Sequence, residues 1–279
     1  MQRLIVTYSC PDSSGIVHAV TEVVMDSGGN IVELQQFSSP DSGRFFMRLE
    51  CDVDDSCDFR HRISTVATRF QARCDITEAE RPMRTLIMAS KIPGPLSDLL
   101  FHMRSGEVNI DVPLVMANHP DLAKIADFYE VPFEHHHVDK ETKPAFEQRM
   151  RQVIDHYDID LVVLARYMQI VSADLCDDLP GRIINIHHSF LPGFKGANPY
   201  RQAHERGVKL IGATAHYVTA DLDEGPIIEQ NVHRISHVTS VQEMRRIGQR
   251  LESTTLTEAV KLHAEKRVFL DGVRTVILN

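Results

Sequence analysis

Between Leu4 and Thr77 the apolar positions recur with the spacings that mark strands and amphipathic helices. Leu4 to Tyr8 predicts a strand. Gly15 to Met25 predicts a helix after the Pro11-Asp12-Ser13-Ser14 turn, and Asn30 to Phe37 and Phe45 to Cys51 predict two more strands. A helix from Phe59 to Phe70 and a short strand near Ala72 to Thr77 complete a β-α-β-β-α-β order, a ferredoxin-like unit. Glu78-Ala79-Glu80-Arg81-Pro82-Met83-Arg84 is charged, carries a proline and separates two regions that each close on themselves. The expected division is a first domain over residues 1–80, a linker over 81–84 and a second domain over 85–279.

Beyond the linker, strands and helices alternate. Thr85 to Ala89, Val112 to Ala117, Leu161 to Ala165 and Ile183 to Ile186 predict strands. Helices are expected near Leu96 to Arg104, Asp121 to Tyr129, Lys143 to Tyr157 and Ala173 to Leu179. Right-handed crossovers then build a Rossmann-like α/β domain with a mostly parallel sheet. Val208 to Val218 and Ile227 to Val232 predict later strands, and a long helix spans about Val241 to Lys266. Asp271-Gly272 predicts the turn of a terminal hairpin. Neither an internal repeat nor a low-complexity tract interrupts the pattern.

The chemistry-bearing segment is Ile183-Ile184-Asn185-Ile186-His187-His188-Ser189-Phe190-Leu191-Pro192. If a strand starts after Gly181, the period of two sends Asn185 and His187 to one face and buries Ile184 and Ile186 on the other. An amide and an imidazole then stand together at the carboxyl end of a strand, where open α/β sheets bind ligands. The pair suits a carbonyl substrate: the amide donates to the oxygen that becomes negative, and the imidazole moves a proton. Asp223, in the Asp221-Leu222-Asp223-Glu224-Gly225-Pro226 turn, is placed to hold and charge the imidazole. The same pair is also compatible with a turn-capping Asn and a packed His.

Three further segments bear on that choice. Phe190 to Tyr200 is rich in Pro and Gly yet carries three aromatic residues, as a site-walling loop does. Gly212 to Thr219 is a strand with small residues that admit close approach. Leu161 to Ile170 is an unbroken apolar strand with a polar and aromatic tip. Glu134-His135-His136-His137, in a chain with 15 His, raises a metal site, but consecutive side chains on an extended segment cannot all face one ion, so no metal is expected. Asn118-His119-Pro120 reads as a turn and helix cap, with a pocket-lining role as the alternative.

Composition narrows the class. The chain has 279 residues, 43% hydrophobic and 25% charged, and a net charge of −9, with no Lys/Arg cluster, which argues against a nucleic-acid surface. Five cysteines, odd in number and without metal-ligand spacing, follow no signal peptide and read as reduced cytosolic thiols. No apolar run approaches the roughly 20 residues of a membrane span. A cytoplasmic enzyme of a small-molecule substrate, with no membrane partner, is expected.

At these motifs the chain resembles the formyltetrahydrofolate deformylases, folate-dependent hydrolases related to the glycinamide ribonucleotide and methionyl-tRNA formyltransferases. The resemblance rests on Asn185-Ile186-His187, the Leu222-Asp223-Glu224-Gly225-Pro226 turn, Ala165-Arg166-Tyr167-Met168-Gln169 and Gly212 to Thr219, and covers essentially the whole chain. It implies Asn185, His187 and Asp223 as a catalytic trio. It implies folate contacts at Met168, Gln169, Ile170 and Val171 and at Ala220, Asp221 and Leu222. The implied reaction is hydrolysis of 10-formyltetrahydrofolate to formate and tetrahydrofolate, with water as co-substrate and no cofactor, serving formate supply for purine synthesis or folate recycling. Formyl transfer to an unphosphorylated amine and a non-catalytic amino-acid-binding regulator are the alternatives.

The first domain, with Asp12-Ser13-Ser14-Gly15-Ile16-Val17 at its first turn, resembles the ACT domain, a small amino-acid-sensing module that commonly pairs edge to edge. That resemblance implies an effector, glycine or methionine, near Asp12, Ser13, Gly15 and Asn30, and a homo-oligomer, dimer or tetramer. A plain dimerisation domain without a ligand is the alternative. One loop departs from its relatives. Where the glycinamide ribonucleotide enzymes hold a Gly-rich phosphate cradle, Ser90 to Asp98 carries Pro93 and Pro95, each lacking an N–H. Deformylases usually have His and Cys where this chain has Gly94 and Pro95.

Overall fold

The computed structural model describes residues 1–193 and 199–279, and divides the chain into two compact units. The first is formed by Met1–Arg81 together with Glu265–Asn279. Its elements are β1 (Gln2–Pro11), α1 (Ile16–Asp26), β2 (Asn30–Ser39), β3 (Arg44–Val53), α2 (Ser56–Arg69) and β4 (Arg73–Glu78). They build an antiparallel sheet in the order β2-β3-β1-β4, the expected β-α-β-β-α-β unit. Alternation along β3 separates two environments. Phe45, Met47, Leu49, Cys51 and Val53 join the core with Ile16, Val20, Phe59 and Ile63 of the helices. Phe46 and Arg48 point to the opposite face.

The second unit, Pro82–Ala264, holds β5 (Met83–Ala89), α3 (Pro93–Arg104), β6 (Ile110–Ala117), α4 (Ala123–Phe128), β7 (Phe133–His135), α5 (Lys143–His156) and β8 (Leu161–Ala165). There follow α6 (Ala173–Asp178), β9 (Ile183–His187), α7 (Pro199–Glu205), β10 (Leu210–Tyr217), β11 (Ile227–Arg234) and α8 (Val241–Ala264). The seven strands run in the order β11-β10-β9-β8-β5-β6-β7; β5 to β9 are mutually parallel, and β10 is antiparallel to both its neighbours. The chain goes outward from β5 to β7, then returns to β8 on the other side of β5. Loops therefore diverge at the carboxyl ends of β5 and β8, where open α/β sheets make their ligand crevice. Leu86, Met88, Val162, Leu164 and Ile183 pack with Phe146, Met150 and Val153 of α5 into one core.

Several expectations shift. The second strand system begins at Met83, not Thr85, and α3 begins at Pro93, where proline suits a first helical turn. The terminal hairpin, β12 (Val268–Asp271) and β13 (Arg274–Ile277), groups with the first unit and not, as the division at residue 85 implied, with the second. The reason is chemical. Phe269 packs edge-on against Phe46, with ring centroids 5.7 Å apart, and Leu278 joins them. Arg48, 2% exposed, donates to Glu33 (2.6 Å), Glu50 (3.0 Å) and the Glu265 carbonyl (2.8 Å). A buried guanidinium must find such partners, because leaving one uncompensated costs about 3–5 kcal/mol. No helix among the described residues is long and apolar enough to cross a membrane.

Candidate active site

Strand β9 presents Asn185 and His187 on one side of its pleat, and its antiparallel register with β10 sets His216 opposite Asn185 and Thr214 opposite His187. His216 is 2% exposed. Its Nδ1 lies 2.8 Å from the Tyr217 carbonyl, which accepts its proton, so Nε2 is the acceptor that meets Asn185 Nδ2 at 3.3 Å. Thr214 accepts from the Leu191 N–H and donates to the Ser189 carbonyl, tying the chain just after His188 to β10.

The acidic turn after β10 brings in Asp223, whose φ of 57° is left-handed. Gly225 lets this turn press on the strand: a Cβ there would lie 1.8 Å from the Tyr217 carbonyl oxygen, so no other residue fits without displacing it. Asp223 Oδ1 then lies 3.3 Å from His187 Nδ1 and 3.7 Å from His216 Nε2. Its contact with His187 holds the carboxyl well below the usual carboxylate range, although burial opposes it. His187 Nε2 is buried and has no hydrogen-bond partner among the described residues. Beside it, with ring centroids 4.9 Å apart, the His188 imidazole is pushed down to about 4, first by burial and then by the charge of Arg166.

The trio opens on a cavity of about 280 Å³ whose walls include every folate-contact residue that the resemblance implies: Met168 to Val171 and Ala220 to Leu222. Met168, Ile170 and Leu222 are 62%, 63% and 61% exposed, an apolar collar suited to a flat ring system. Of the aromatic loop, Phe194 to Asn198 lie outside the described residues.

The other candidates fall elsewhere. Asp12, Ser13 and Gly15 are exposed where β1 meets α1, and Gly15 adopts a φ of 90°. Asn30 begins β2 opposite Asp52, whereas Pro11 lies opposite Arg44, so the two groups stand at opposite ends of the sheet within one chain. The cap expected at Asn118-His119 is not formed: His119 occupies the position before the short helical turn Pro120–Leu122 without a side-chain bond, and the Asn118 Oδ1 is buried without a partner. Glu134 is engaged by Arg149 at 2.6 Å and His136 at 3.1 Å. Gly94, the departure in the first loop, has a reason: a Cβ there would lie 2.8 Å from Ser253 Oγ of α8.

The sequence reading missed His216, which sits in a strand noted only for small residues. Pairing that strand with Asn185-Ile186-His187 and applying the period of two would have placed it on the reacting face.

Comparisons agree with this geometry. A family model described as "Formyl transferase" matches residues 83–260, and one described as "ACT domain" matches residues 4–56. The formyltetrahydrofolate deformylase of Corynebacterium sp. (strain P-1) is 45% identical over 99% of this chain and 98% of that protein. That of Bacillus subtilis (strain 168) is 40% identical over 99% of this chain and 93% of its own length. The crystal structure of formyltetrahydrofolate deformylase from Burkholderia mallei superposes with a TM-score of 0.96 at 42% identity, covering all of both chains. Glycinamide ribonucleotide transformylase 1 from Symbiobacterium toebii matches 71% of this chain and 95% of its own, with a TM-score of 0.66 and 33% identity. With both domains in order and the likeness running from end to end, the chain belongs to the formyltetrahydrofolate deformylase family.

Proposed function

We propose that the chain hydrolyses 10-formyltetrahydrofolate to formate and tetrahydrofolate, with water as acceptor and Asn185, His187 and Asp223 as the reacting groups. The observation that carries this reading is the division of labour in the His187 ring. Nδ1 faces the ionised Asp223 at 3.3 Å, and Nε2 is left without a partner in a residue that lines the cavity. That is the arrangement of a general base with a carboxylate behind it. Nε2 takes a proton from water as its oxygen adds to the formyl carbon. Asn185 Nδ2 and the protonated ring donate to the oxyanion. The tetrahedral intermediate collapses with the C–N10 electron pair going to nitrogen, which receives the proton. The apolar collar takes the pterin ring.

Formyl transfer to an unphosphorylated amine would use the same trio. The loop at the head of α3 narrows the acceptor without choosing between that amine and water: Pro93 and Pro95 remove amide donors where a phosphorylated acceptor would need them. Formate release would serve purine synthesis or folate recycling.

The N-terminal unit is read as an amino-acid effector module for glycine or methionine and as the joint of a homodimer or homotetramer. Support comes from β2, which among the described residues pairs only with β3 and exposes Ile31, Val32 and Phe37 along its length. Two copies joined along this edge can bring the Asp12 turn of one toward Asn30 of the other, which a single copy cannot. The test of the activity is direct: purified protein with 10-formyltetrahydrofolate should release formate and tetrahydrofolate in equal amounts, at a rate indifferent to glycinamide ribonucleotide or other amines. A formylated amine among the products overturns the hydrolase reading.

A further inference from the structure

Arg166 directly follows β8 with a φ of 60°, a left-handed backbone that a bulky residue adopts at a cost and that persists where its surroundings demand it. The side chain is 17% exposed and lines the same cavity as Asn185, His187 and Asp223. Among the described residues its one charged contact is Nε to Glu252 Oε2 at 3.5 Å, and Nε is buried without a hydrogen bond. Glu252, 1% exposed on α8, is held from its other oxygen by the Tyr200 hydroxyl at 3.0 Å. Gly248 makes room for that phenol, since a Cβ there would lie 1.9 Å from its oxygen. The arginine is thus held at Nε by a buried carboxylate, while its two terminal nitrogens have no hydrogen bond to a described residue.

The reaction proposed above supplies a ligand for them. A neutral formyl amide enters; water adds to its carbon, the C–N10 bond breaks with the pair going to nitrogen, N10 takes one proton and the acid formed releases the other. What remains in the cavity is a carboxylate beside the ionised Asp223, a repulsion that a nearby cation offsets. A guanidinium presents parallel N–H donors matched to two carboxylate oxygens. Arg166 shares the cavity wall with His187 and His188, whose rings pack together.

We propose that Arg166 is a further catalytic residue, the one that binds the formate product, and the oxyanion that precedes it, through its terminal nitrogens. The inference rests on the hydrolase reading. The carboxylate chemistry has a second source, the glutamyl tail of the folate, and the experiment separates the two.

Full-length protein and its Arg166→Gln and Arg166→Lys variants are assayed with 10-formyltetrahydrofolate and with its analogue lacking the glutamate, and inhibition by sodium formate is titrated in each. Arg166→Gln should lower kcat by about tenfold or more on both substrates and weaken formate inhibition by about tenfold or more, with KM little changed. Lysine, which keeps the charge without the fork, should fall between. Unchanged formate inhibition, or a KM defect confined to the glutamylated substrate, overturns the proposal. Wild-type protein supplies a measurement independent of any variant's folding: formate must inhibit it where neutral formamide at the same concentration does not, and equal insensitivity to both also overturns it. A wild type that releases no formate removes instead the hydrolase reading.

Discussion

Asn185 Nδ2 stands 3.3 Å from His216 Nε2 across the β9–β10 pair, and the other nitrogen of that ring is committed to the Tyr217 carbonyl at 2.8 Å. The carbonyl decides which imidazole nitrogen carries the proton, and the bare nitrogen decides which end of the Asn185 amide faces it. An amide turned the other way would set oxygen against a lone pair. His216 is therefore a positioning residue for the oxyanion donor. His216→Ala should fold and bind tetrahydrofolate yet lose kcat by about tenfold or more with little change in KM, and His216→Gln, which again offers a donor and an acceptor, should recover part of the loss. Unaltered kcat in the alanine variant would show that the amide is oriented by other means.

His187→Ala, Asn185→Ala and Asp223→Ala should each lower formate release by about 100- to 1,000-fold. Groups that act as a unit are not additive, so pairwise combinations should be little worse than the worst single change. Steady-state formate assays with folate binding checked by fluorescence measure this, and full activity in any one variant removes that residue from the trio.

Acid should destabilise the catalytic unit in two successive windows. His188 titrates near 6.5 when unfolded and about 4 when folded, chiefly through burial. The unfolded chain takes up that proton first, and stability falls as pH drops from about 6.5 to about 4. Asp223 is shifted the same way, first by His187; its contribution is complete above the ordinary carboxylate range near about 4 and is lost below it. Melting temperatures measured from pH 7 to pH 3 should fall throughout, and His188→Gln should flatten the upper window while leaving the lower one. A variant curve parallel to wild type would assign the upper window to other groups.

If the N-terminal unit senses glycine or methionine, calorimetry on the full chain should detect binding of one of them with a matching change in rate. The fragment 82–264 should keep formate release and lose the response. Glycinamide ribonucleotide transformylase structures that match 71% of this chain over 95% of their own support the idea that such a domain stands alone. A fragment that starts at Met83 but retains the hairpin should be less stable, because Phe269 and Arg267 lose their partners Phe46 and Glu33. Absence of both binding and rate change would leave the unit as an assembly module.

Most of the framework was legible because period and punctuation agree along β1 to β4 and along β5, β6, β8 and β9; the three-residue β7 was too short to show a period. The Asn185–His187 pair was legible for the same reason. What escaped depended on distant partners. The hairpin's place follows from Arg48 and Phe46, which local pattern cannot tell from ordinary strand residues with a solvent face. His216 became a site residue only through its register with Asn185. Glu252 looked like one charge among many on a long helix; its burial is set by Arg166 and Tyr200, far away in sequence. At Asn118-His119-Pro120 the helical turn takes Pro120 as its first residue, so the cap position falls on His119, whose side chain makes no capping bond.

The hairpin that covers Phe46 and Arg48 comes after the whole of the second unit in the sequence. During synthesis one face of the sheet of residues 2–78 stays bare, with a guanidinium short of the Glu265 carbonyl, until the intervening unit, residues 82–264, has been made. The unit whose strands are made earlier is therefore completed later, and a cut or deletion within residues 265–279 is felt in the sheet built from residues 2–78.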